Sequence, residues 1–102
     1  MLFDALDRRI LNLSPDVKRE FKKLYIAYKL DTNFVDIVVQ KQRLRISVNM
    51  KFSEVHDPHN ICRDITNLGR WGNGDVEMFF EHLDNIDAVM GIIEQSYNMQ
   101  VD

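Results

Sequence analysis

A single cysteine, Cys62, leaves this chain without an intrachain disulfide, and no basic stretch followed by an apolar run opens it, so secretion through an oxidising compartment is not expected. The longest apolar run falls far short of the roughly 20 residues that cross a bilayer. The expectation is therefore a cytoplasmic protein with no membrane partner. Internal repeats and low-complexity tracts are missing too. So are a Cys-x-x-Cys pair, a nucleophile motif with its base and orienting acid, and the acid followed by acid-x-lysine of many nucleases. Asp36 and Lys41 do not supply that last pattern. The expected function is non-enzymatic, with no cofactor and no metal.

What is present is ordinary globular material. The 102 residues, 45% hydrophobic and 28% charged, fit a single domain over 1–102, because two cores would each be too small to stand alone. Net charge is −3, yet it is polarised: residues 1–51 carry eleven Lys/Arg against six Asp/Glu, and residues 52–102 carry two against ten. Such asymmetry marks either a basic surface for an anionic partner or two halves that neutralise each other on folding, and the acidic total favours the second.

Leu2, Phe3, Leu6, Ile10 and Leu13 recur at helical spacing and predict an amphipathic helix. Ser14-Pro15-Asp16 reads as a cap, a first-turn proline and a favourable acid, which predicts a second, short helix to about Lys23. From Leu24 the period becomes two, with Leu24, Ile26, Tyr28 and Leu30 expected inward against Tyr25, Ala27 and Lys29. Turn residues Asp31-Thr32-Asn33 lead to a second strand over 34–40. Leu44, Ile46, Val48 and Met50 alternate with Arg45, Ser47, Asn49 and Lys51 as the clearest strand. Asp57-Pro58 repeats the cap-then-proline signal and predicts a third short helix through Ile61, Cys62 and Ile65. A glycine-rich loop follows, then a strand at Val76, Met78 and Phe80. The last element is a helix carrying Ile86, Val89, Met90, Ile93 and Tyr97 on one stripe. The fold class expected is α+β in the order ααβββαβα, a mostly antiparallel four-stranded sheet with helices packed on one face.

Three segments together resemble a known family: Lys23-Leu24-Tyr25-Ile26-Ala27-Tyr28-Lys29, then Gln40-Lys41 leading into Leu44-Arg45-Ile46-Ser47-Val48-Asn49, then Asn67-Leu68-Gly69-Arg70-Trp71-Gly72-Asn73-Gly74-Asp75-Val76-Glu77. The likeness spans nearly the whole chain and is to a bacterial and archaeal domain family of unknown function, whose members carry the description "predicted transport protein". The glycine-tryptophan loop is its most specific part. Members resemble C-terminal modules of restriction-type nucleases and other defence proteins, which implies a nucleic-acid or protein-docking role beside such a partner. The layout is also similar to MmcQ/YjbR-like double-wing domains. No membrane span supports a transport role.

His56, His59 and Cys62 fall three apart, but a closed zinc site needs a fourth ligand, and a core role for Cys62 is the better reading. Gly69, Gly72 and Gly74 lack the following helix that a phosphate loop uses, so a shaped turn around Trp71 is favoured over a ligand loop. The ligand reading keeps Arg70, Trp71 and Asp75 as contacts, with Trp71 stacking on a base or small molecule. On the outer sheet face, Tyr25, Lys29, Arg45, Ser47, Asn49 and Lys51 compose the residue types of a nucleic-acid platform, and the nucleic-acid-binding set expected is Tyr25, Lys29, Arg45 and Lys51 with Lys41 and Arg43 of the connecting turn. Glu77 and Glu81 face the same way, and if their strand neighbours the basic one, cross-strand ion pairs account for the charges. Phe79, between those two acids, motivates the alternative of a protein-interaction domain or homodimer.

Overall fold

A computed structural model of the chain describes residues 1–68 and 73–101. Its centre is a six-stranded sheet with every pairing antiparallel, in the order β1-β2-β3-β4-β6-β5. The strands are β1 (Lys18–Phe21), β2 (Ile26–Lys29), β3 (Asn33–Val39), β4 (Leu44–Val48), β5 (Arg63–Asp64) and β6 (Val76–Phe80). Two α-helices, α1 (Leu2–Leu11) and α2 (Ile86–Gln100), flank the sheet in sequence, with single 3-10 turns at Phe52–Glu54 and Leu83–Asn85.

Both α-helices cover one face. Leu6 and Ile10 of α1, and Val89, Met90, Ile92 and Ile93 of α2, are buried against Tyr28, Val35, Ile37, Leu44, Ile46, Val48, Val76, Met78 and Phe80. Register puts those strand residues on the same side, since Tyr28 pairs Val35, Val35 pairs Val48, and Val48 pairs Val76. Each such aliphatic or aromatic side chain removed from water stabilises the fold by about 1.5–3 kcal/mol before the entropy of ordering is subtracted. Ser96 of α2 is buried among them and donates from Oγ to the Asn49 carbonyl at 3.0 Å, which fixes the helix over the end of β4. In β3 the register shifts at Tyr28/Lys29, leaving Phe34 as an extra residue. The bulge turns its ring to the helix side, where it meets Tyr97 edge-on at 5.5 Å.

The sheet has six strands rather than four because two expected helices are turns followed by edge strands. At Ser14-Pro15-Asp16 the Asp16 N–H donates to Ser14 Oγ (3.0 Å) and the Val17 N–H to the Ser14 carbonyl (3.2 Å). That closes a turn, and the chain then pairs as β1. At Asp57-Pro58 the carboxylate accepts from Ile61 N (3.0 Å) and Cys62 N (2.8 Å), but Asn60 takes φ 53°, which diverts the chain into the two-residue β5. Side chains that hydrogen-bond nearby backbone compete with helix, and here the competing turn wins. Leu24 is likewise not a core residue. It sits with Lys23 in the two-residue β1–β2 turn, closed by Lys22 N donating to the Tyr25 carbonyl (2.8 Å), and is 76% exposed.

Candidate functional site

Among the described residues no helix lies over the second face of the sheet, and register resolves that face into two rows. The inner row runs Glu20, Ala27, Asp36, Ser47, Glu77, Arg63 across all six strands. Ala27, Asp36, Ser47 and Glu77 are buried in it, although a face without helices should be wet. Over Asp36 and Ser47 the cover comes from the C-terminal end of the glycine-tryptophan loop. Asn73 donates to Asp36 Oδ2 from its backbone N (2.8 Å) and from Nδ2 (3.0 Å), while Ser47 Oγ donates to the Asn73 carbonyl (2.7 Å). Asn33 Nδ2 donates to the other Asp36 oxygen at 3.1 Å. Burial raises the Asp36 pKa above the ordinary aspartate range, opposed by the hydrogen bonds from Asn73 and Asn33.

Gly74 makes the loop's return possible. Its φ is +95°, and a Cβ there would lie 2.5 Å from Asn49 Cα and against the Val48 carbonyl, so only glycine lets the chain pass this close to the end of β4. Asp75 then ties the segment down, its N–H donating to the Met50 carbonyl (3.1 Å) and its carbonyl accepting from Ile65 N (2.9 Å). Of the ligand-loop residues expected from sequence, Asp75 is half-buried in this tether. Arg70 and Trp71 lie outside the described residues.

Glu77 is the largest departure from the expected solvated surface. It is 2% exposed and accepts from Arg45 Nε at 2.9 Å, with Arg63 Nη1 at 3.5 Å from its other oxygen. The acidic strand does neighbour the basic one, and cross-strand ion pairs of the kind foreseen form.

The outer row is half-open. Tyr25 extends the β2–β3 register opposite Val38, Val38 pairs Arg45, and Arg45 pairs Phe79. The Arg43 guanidinium lies 3.8 Å from the Phe79 ring centroid, with its Nε donating to Gln40 (2.9 Å) and an Nη1 at 3.8 Å from Glu81. Phe79 is thus partly covered by a cation rather than bare. Of the six nucleic-acid-binding residues expected from sequence, Tyr25, Arg43 and Arg45 come together here. Lys41 is exposed in the adjoining turn. Lys29 lies about 13 Å along β2 and is held to Glu20 at 3.4 Å. Lys51 is exposed beyond the other end of β4. Sequence reading missed Asp36, Asn73 and Val38. The available signal was an aspartate in the middle of an otherwise apolar strand, a position that requires hydrogen-bond partners.

His56 and His59 are exposed and Cys62 is half-buried. Among the described residues no three His, Cys, Asp or Glu side chains gather as a metal site. The Cys62 thiol is pushed up to about 12 by burial and by the Asp57 carboxylate. No helix among the described residues is long and apolar enough to cross a membrane.

The sequence matches, over residues 1–100, the family described as Domain of unknown function (DUF5655), and the chain belongs to that family. An uncharacterized protein of Haemophilus influenzae (strain ATCC 51907 / DSM 11121 / KW20 / Rd) is 39% identical over 95 residues, which is 93% of this chain and 32% of the relative. The chain therefore spans about a third of the length of the curated relative it matches. No solved structure matches it.

Proposed function

We propose that the chain is a non-catalytic accessory module that binds single-stranded nucleic acid across the outer row of its sheet, in the service of a nucleic-acid-processing protein. The observation that carries this reading is the row itself: Tyr25 and Phe79, an aliphatic Val38 and an Arg45 stand side by side, half-exposed, on four neighbouring strands. Unstacked bases, which a duplex does not present, stack on an aromatic ring such as Tyr25 and on a guanidinium plane such as that of Arg43 over Phe79. The share of the Haemophilus relative that the match covers supports a module of longer proteins. The family resemblance to modules beside restriction-type nucleases supports the same partner class. Its non-catalytic character is supported by the carboxylates of the inner row, which are occupied in holding the loop and the arginines.

The ion pairs set the expected electrostatics. Arg43 and Arg45 already face Glu81 and Glu77, so few cations remain to displace counterions. With about two phosphates neutralised, the log–log salt slope should be near −1.4, at roughly 0.7 per phosphate. Fluorescence anisotropy with a labelled oligothymidylate, its duplex and the matching RNA tests this. The single strand should bind best with that shallow slope, and Tyr25→Ala and Phe79→Ala should each weaken it by roughly 5- to 100-fold, the equivalent of one lost stacking contact. Absence of binding at about 100 µM protein, the weak end of non-specific contact, would sink the proposal. So would equal binding of duplex with a steep slope.

A further inference from the structure

At one end of the molecule, on the helix side, the surface is unusually apolar. Phe21 is 66% exposed, Leu24 76% and Val39 56%. Phe21 pairs Ile26, Ile26 pairs Ile37, and Val39 lies two residues further on β3. The span from Phe21 to Val39 is therefore about 12 Å, close to the diameter of one helix. Beside Val39 a recess of about 270 Å³ opens between the start of α1 and the β3–β4 turn, with Leu2, Phe3 and Leu44 in its walls. The β1–β2 turn adds to the patch in a telling way. A two-residue hairpin normally uses Gly, Asn or Asp, whereas this one presents Lys23 and Leu24, without a positive φ at either. With no positive φ the turn admits any residue, so the backbone does not require an exposed leucine there.

The rim is cationic. Lys23, in the turn beside Leu24, and Lys41, in the wall of the recess beside Val39, border the patch, and neither has an ion pair among the described residues. Arg19 lies over the Phe21 ring at 4.9 Å. We propose that this end is a docking groove for an acidic, amphipathic segment of a partner protein, which seats its apolar face on Phe21, Leu24 and Val39 and its carboxylates on Lys23 and Lys41. A second copy of the chain fits poorly. Two-fold contact through the patch brings Lys23 and Lys41 against their own copies, and antiparallel pairing of β1 with its own copy centred on Arg19 or Glu20 sets like charges opposite each other. Nucleic acid fits poorly as well, because Leu24 and Val39 offer no ring for stacking and the Phe21 ring is already covered by Arg19. Phe21 and Val39 lie on the opposite side of the sheet from the outer row.

The test uses two labelled helical peptides of about 18 residues, each with leucine along one face and either glutamate or lysine along the other. Anisotropy should show the glutamate peptide binding at least tenfold more tightly than the lysine peptide. Leu24→Ser and Val39→Ser, both surface changes that leave the fold intact, should abolish the difference, and K23E with K41E should reverse the preference. Oligonucleotide binding should be unchanged in Leu24→Ser, which separates this groove from the outer row. Equal or undetectable binding of both peptides would overturn the proposal, as would serine-insensitive binding, concentration-dependent dimers lost in Leu24→Ser, or Leu24-dependent sedimentation with phosphatidylserine vesicles in place of peptide binding.

Discussion

Removing the Asp36 carboxylate tests how the loop is held to the sheet. The side chain is fully buried and receives three hydrogen bonds, two from Asn73 and one from Asn33. A buried donor left without its acceptor costs about 1–3 kcal/mol. Asn73 is exposed on its other side, so water reaches its freed donors, and Asp36→Ala should lose about 2–4 kcal/mol rather than the sum of three full penalties. Asp36→Asn keeps one oxygen for both Asn73 donors, lets Asn33 reverse its amide to accept from the new one, and should lose only about 1–2 kcal/mol. A domain of this size holds about 5–15 kcal/mol, so both variants stay folded and urea melts can compare them. With an m-value of about 1–3 kcal/mol/M, the alanine midpoint should fall by about 1–2 M. The carboxyl is raised by burial, so on acidification the folded state takes up its proton before the unfolded chain does. That gain is complete below the unfolded-state pKa and is lost as pH rises through the folded one. The stability of wild type relative to Asp36→Asn should therefore improve as pH falls from 7 into the aspartate range. An alanine variant within 0.5 kcal/mol of wild type, or an asparagine variant as damaged as alanine (both thresholds scaled to one hydrogen bond), would refute the reasoning.

The two described glycines with opposite surroundings should respond oppositely to alanine. Gly74→Ala, at φ +95° and against β4 backbone, should lose at least about 2 kcal/mol, whereas Gly91→Ala, where a Cβ meets nothing within 4 Å of mid-helix, should gain about 0.5–1 kcal/mol in the same melts. Glu77→Ala removes the buried acceptor of a charged hydrogen bond from the half-exposed Arg45 and should cost about 1.5–3 kcal/mol; Arg63→Ala, whose arm is mostly exposed at 3.5 Å, should cost less than about 1 kcal/mol. With its thiol near 12, Cys62 should react with a disulfide reagent at pH 8 roughly 50- to 100-fold more slowly than an unhindered cysteine, the lost thiolate being partly offset by its greater nucleophilicity. Asp57→Asn should speed that reaction in stopped-flow absorbance, and a wild-type rate within tenfold of free cysteine would contradict the burial.

Legibility in the sequence followed the wetness of each face. Strand β4 was readable because Leu44, Ile46 and Val48 go to the helices while Arg45 keeps its head half in water, giving a clean period of two. The two α-helices were readable for the same reason at period 3.6. Strand β1 was not, because an edge strand beyond the reach of the core needs no apolar alternation, and Lys18, Arg19 and Glu20 look as helical as they look extended. The outer-row residues Tyr25 and Arg45 were placed on the right face from alternation alone. The inner row defeated alternation: Glu77 and Ser47 sit at polar-looking positions yet are buried, Ser47 under a distant loop end and Glu77 between Arg45 and Arg63 of neighbouring strands. Such a cover is tertiary, and no local period encodes it. Asp36 was passed over for the same reason.

The route of the chain through the sheet has a kinetic consequence. Strands β1 to β4 form a meander in which each strand meets its sequence neighbour across a tight turn, whereas β6 enters only when Val76 reaches Val48, and β5 gains its partner only when β6 arrives. Closing short loops costs less entropy than closing long ones, so the meander is the natural nucleus and β6 the late arrival. Side-chain truncation at Ile37 should therefore slow refolding, while truncation at Met78 should chiefly speed unfolding; the reverse pattern in a chevron series would place the nucleus elsewhere. In the interval before β6 docks, the β4 edge is bare, and Ile46 and Val48 are open to any extended chain that meets them first. A polypeptide that emerges N-terminus first exposes that edge for as long as residues 76–80 remain unmade, so the hazard for this domain falls in the middle of its synthesis rather than in its finished state.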